Sequence, residues 1–125
     1  MAVKIAHDAG APTAAVELMI TRPLPDFDLE KVETDTPREV DPLLASQGFK
    51  DLLDEARAIL EESLAEKGLQ IAQLTGAICH DRGKFRPGLW LVLRESGTGS
   101  GVMTAGARSH VETLAELLRS RLGLG

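Results

Sequence analysis

Phe85-Arg86-Pro87-Gly88-Leu89-Trp90-Leu91-Val92-Leu93-Arg94-Glu95 is the stretch on which the reading of this chain turns. Phe85, Leu89, Leu91 and Leu93 share one parity, and Arg86, Trp90, Val92 and Arg94 share the other. Alternation with a period of two is the mark of a strand, whose successive side chains leave on opposite faces. The leucine face belongs in a core. The opposite face sets an indole and an isopropyl group between two guanidinium groups, so this strand needs cover on both sides.

Upstream of it, His80-Asp81-Arg82-Gly83-Lys84 is a polar turn with a glycine. Leu69 to Cys79 is apolar and lightly polar, with Ile71, Leu74 and Ile78 as its large residues. Residues 69–95 are therefore expected to form a hairpin. Downstream, Gly97-Thr98-Gly99-Ser100-Gly101 is a flexible link, and Val102-Met103-Thr104 is expected as a last short strand. Ser109 and Glu112 have the spacing of a capping box, which puts the start of a helix at Ser109. Val111, Leu114, Leu118 and Leu122 make its apolar stripe, with Leu117 at the margin. Arg119 and Arg121 suit its negative end, and Gly123 stops it.

The other strong helical pattern lies before the hairpin. Phe49, Leu52, Leu53, Ala56, Ile59, Leu60 and Leu64 recur at helical spacing, with Asp51, Asp54, Glu55, Glu61 and Glu62 mostly on the other side. Asp41-Pro42 opens this region, Gly48 defers the regular helix to Ser46, and Gly68 closes it. Residues 23–42 carry four prolines (Pro23, Pro25, Pro37, Pro42), seven acids and two bases. Proline fixes φ and lacks an N–H, so these residues predict an extended acidic loop. Ahead of it, Val16, Leu18 and Ile20 alternate within a strand expected over Ala14–Thr21. His7 to Pro12 has turn residues, and Val3-Lys4-Ile5 is expected as a brief strand or an ordered tail.

The order ββαββ(β)α predicts an α+β fold: a two-layer sandwich of two amphipathic helices on an antiparallel sheet of four to five strands. With 125 residues and 43% hydrophobic content, the chain fits one domain, 1–125, able to bury a core. Aromatics are scarce (three Phe, one Trp, no Tyr), so that core is aliphatic. One cysteine makes no internal disulfide, and the first residues lack the pattern of a secretory leader, so the expected location is cytoplasmic. The net charge of −5 is uneven. Residues 1–68 carry 15 acids and 7 bases, and residues 69–125 carry 4 acids and 7 bases.

Three constellations bear on function. Cys79-His80-Asp81 has the residue types of a nucleophile pair or a metal site, but on a strand His80 points away from its two neighbours. His7 and His110 are the remaining histidines, and none is spaced as in a zinc motif. No cofactor or metal is expected, and the glycine run lacks the ending of a phosphate-binding loop. The face Arg86, Trp90, Val92, Arg94 is the third. Trp and Arg are enriched at protein interfaces, and bases around an aromatic on a sheet also suit single-stranded nucleic acid, with Arg82 and Lys84 adding phosphate contacts. In layout, residues 69–122 resemble the strand-strand-strand-helix arrangement of single-stranded-DNA-binding transcriptional coactivators. The resemblance implies the same nucleic-acid function, and no sequence motif of that family accompanies it.

The expectation is a non-enzymatic binding or adaptor protein, working as a homo-oligomer or inside a larger protein assembly, with Trp90 as anchor. Two alternatives accompany it. One is a single-stranded nucleic-acid-binding module using Arg82, Lys84, Arg86, Trp90 and Arg94. The other is a small enzyme dependent on Cys79 or on a metal.

Overall fold

The computed structural model describes residues 2–8, 11–21, 40–64, 68–95 and 104–124. Within them the fold is small and α+β, with two long helices on one face of an antiparallel sheet. In chain order the elements are β1 (Ala2–Asp8), β2 (Ala11–Met19), the single turn α1 (Asp41–Leu44), α2 (Gln47–Leu64), β3 (Leu69–Asp81), β4 (Lys84–Glu95) and α3 (Ala105–Leu122).

The hairpin forms because Arg82 and Gly83 both take positive φ, 52° and 79°. Two such residues let a two-residue turn follow the twist of the strands it joins. β3 and β4 then pair from Asp81↔Lys84 back to Leu69↔Glu95, with a bulge between Ile71 and Gln73. Ala72 is the extra residue. It explains why the apolar spacing stretches to three between Ile71 and Leu74 before returning to two.

β2 pairs antiparallel with the other side of β4, so β4 is central and β2 runs parallel to β3 across it. The chain from β2 through α1 and α2 to β3 is thus a crossover split by β4. β1 pairs with the outer side of β2, giving the order β1-β2-β4-β3. Pro87 lies inside the central strand, where a missing N–H would break a ladder. Its carbonyl accepts from Ile20 N at 3.0 Å. Both backbone groups of one strand residue point the same way, so the absent donor faces Ile20, where β2 has already ended.

The core is one aliphatic layer. Val16 and Leu18 of β2, Leu89, Leu91 and Leu93 of β4, and Leu74 of β3 meet Phe49, Leu52, Ala56, Leu60 and Leu64 of α2 and Val111, Leu114, Leu118 and Leu122 of α3. Each large side chain buried in this way contributes about 1.5–3 kcal/mol. α2 packs on β3 and α3 on β2, with the two helices touching. The chain end closes on the sheet: Leu124 bridges Ile20, and Thr21 Oγ1 donates to the Gly123 carbonyl at 2.8 Å.

Helix starts follow side-chain capping. Ser46 Oγ accepts from Phe49 N at 3.2 Å, which fixes the start of α2 where Gly48 had deferred it. Asp41 and Pro42 belong to the separate turn α1. The start expected at Ser109 is corrected to Thr104. Thr104 is the N-cap of α3, its Oγ1 accepting from Ala107 N at 3.2 Å, so Ser109 lies inside the helix. Glu95 at the end of β4 fixes this, accepting from both Thr104 N and Thr104 Oγ1. Thr104 is therefore not part of a strand, and Val102, Met103 and the glycine run lie outside the described residues. At the other end Gly123 takes φ 65°, and its N–H donates to the Arg119 carbonyl.

Two further boundaries move. The turn read over His7–Pro12 contracts, because the β1–β2 ladder runs on to Asp8↔Ala11 with Pro12 already paired to His7. Backbone pairing outweighs the punctuating residue types there. The strand read over Ala14–Thr21 begins earlier and ends at Met19. Of the acidic loop expected over 23–42, residues 23–39 lie outside the described residues; Val40 is buried.

Candidate binding face of the sheet

Register sorts the residues of the three-stranded part of the sheet onto two faces, because partners across a ladder share a face. Leu89, Leu91 and Leu93 face the helices. Opposite them β4 presents Lys84, Arg86, Gly88, Trp90, Val92 and Arg94. Beside these, β2 contributes Thr13, Ala15, Glu17 and Met19, and β3 contributes Gln73, Thr75, Ala77 and Cys79. Trp90 lies between Glu17 and Thr75, and Val92 between Ala15 and Gln73.

Arg86, Trp90, Val92 and Arg94 are thus brought together on one face, as the sequence predicts, and all four are half-buried. Lys84 joins the same row, opposite Asp81, and Arg82 is exposed at the hairpin tip. From Lys84 to Arg94 the row is about 33 Å long at ordinary strand rise. Neither Trp90 nor Val92 belongs to the buried core, and among the described residues no helix packs over this face.

The face has a feature that sequence alone did not disclose. Cys79 is buried on it rather than in the core, and its thiol lies over the bare Cα of Gly88. A Cβ built on Gly88 would sit 2.3 Å from Cys79 Sγ and 2.7 Å from the Leu18 carbonyl oxygen. The glycine leaves a saddle across which the thiol of β3 reaches the carboxylate of Glu17 on β2. Burial pushes the Cys79 thiol up to about 12, and the negative charge of Glu17 and a hydrogen bond to it push the same way. At neutral pH Cys79 is a thiol donating to Glu17, the wrong state for a nucleophile. Only a glycine in the middle of an otherwise strongly patterned strand signals such an approach.

The other candidates do not converge. His80 is exposed on the helix side of β3 and packs its ring against Phe85, with centroids 4.8 Å apart. Asp81 points to the opposite face, His110 lies in α3, and His7 pairs with Pro12 at the end of β1. Among the described residues, no group of three His, Cys, Asp or Glu side chains could hold a metal ion.

No known protein family, curated protein or solved structure matches this chain. What the face can do chemically rests on its own residues. It offers a strip with an indole and the half-buried side chains of Val92 and Met19 at its centre, guanidinium and ammonium groups along β4, and one carboxylate beside the indole. No helix among the described residues is long and apolar enough to cross a membrane.

Proposed function

We propose that this protein is a non-enzymatic binding or adaptor module that engages protein through the sheet face opposite its two described long helices, as a homo-oligomer or as a component of a larger assembly. The observation that carries the reading is that Trp90 and Val92 lie half-buried at the centre of a face over which no described helix packs. An aromatic anchor ringed by polar and basic groups is the usual make-up of a protein interface. Arg86 and Arg94 flank the anchor and suit carboxylates on the partner. The thiol form of Cys79 weighs against a cysteine-dependent enzyme at this face.

Single-stranded nucleic acid is the second reading, favoured by Arg82, Lys84, Arg86 and Arg94 in line with Trp90. Glu17 beside the indole weighs against it, since a carboxylate there repels the phosphates of any base stacked on Trp90. One pair of measurements separates the readings. Protein binding or self-association, followed by light scattering and co-purification, is lost in Trp90→Ala while the circular dichroism spectrum is kept. Titration with a labelled oligonucleotide at two salt concentrations shows no binding. Oligonucleotide binding that weakens steeply with salt, and is lost in Trp90→Ala, replaces the first reading with the second.

A further inference from the structure

We draw no further inference here: the strongest candidate, the basic row of Lys84, Arg86 and Arg94 along β4 as a seat for an acidic segment of another protein, belongs to the site already described, and each of these three side chains already holds an interaction of its own, so charge there singles out no occupant.

Discussion

Replacing Gly88 by alanine is the smallest change that tests how β2, β4 and β3 are held together. The added methyl would meet Cys79 Sγ at 2.3 Å and the Leu18 carbonyl oxygen at 2.7 Å, with Met19 Cα at 3.3 Å. Carbon contacts are comfortable at about 3.5–4.0 Å, so two of these are deep overlaps. The thiol can swing aside only by leaving Glu17. The carbonyl belongs to the β2 backbone and cannot move without shifting the ladder. Overpacking of this kind costs about 1–3 kcal/mol. The upper end applies here, because β4 is fixed on both sides. The gain from removing a flexible glycine from a strand is only about 0.5–1 kcal/mol and does not offset it. A net loss of about 2 kcal/mol lowers the melting temperature of a domain of this size by roughly 6–10 °C. Thermal unfolding followed by circular dichroism, with urea titration at 25 °C, reads both quantities. Gly88→Ala/Cys79→Ala removes one overlap and keeps the other, so it recovers about half of the loss. A Gly88→Ala protein melting within about 2 °C of the parent refutes the packing described. A double variant no better than the single one means that the thiol is not the obstacle.

Three other outcomes follow from the same structure. Thr104→Ala removes the N-cap hydroxyl of α3 and with it one of the two hydrogen bonds held by Glu95, the backbone one being kept, costing about 1–2 kcal/mol, whereas Ser109→Ala, inside the helix, stays within about 0.5 kcal/mol in urea unfolding. The Cys79 thiol, raised from 9.0 to about 12, stabilises the fold fully below pH 9 and progressively less as pH climbs toward 12. Unfolding at pH 8 and pH 10.5 therefore shows a steeper fall for the parent than for Cys79→Ala. In the folded protein Cys79 reacts sluggishly with thiol reagents at pH 8, and Glu17→Gln quickens it without making it an ordinary free cysteine, because burial is the larger cause.

The residues show why some of this was legible and some was not. Leu89, Leu91 and Leu93 identified β4, and the spacing from Phe49 to Leu64 identified α2, because burial on one face writes a local period into the chain. The Trp90 face followed from the same alternation. Thr104 was missed because the signal for a cap is short and Ser109 with Glu112 imitates it. The interaction that favours Thr104 comes from Glu95, nine residues away. The bulge at Ala72 left a trace, the three-residue step from Ile71 to Leu74, which a strict period of two passes over. The contact of Cys79 with Glu17 across Gly88 had no local trace beyond the glycine. It exists only once β4 lies between β2 and β3, and strand order is set by packing among distant segments.

The bridge between Ile20 and Leu124 spans almost the whole chain. A ribosome must therefore deliver Leu124 before the end of β2 can be sealed, and closing so long a loop is an entropic cost met late. Until then the first strands are without the helix α3 that covers β2. Before residue 124 has left the ribosome the nascent chain accordingly holds an unfinished sheet, and the seal at Ile20 forms only afterwards.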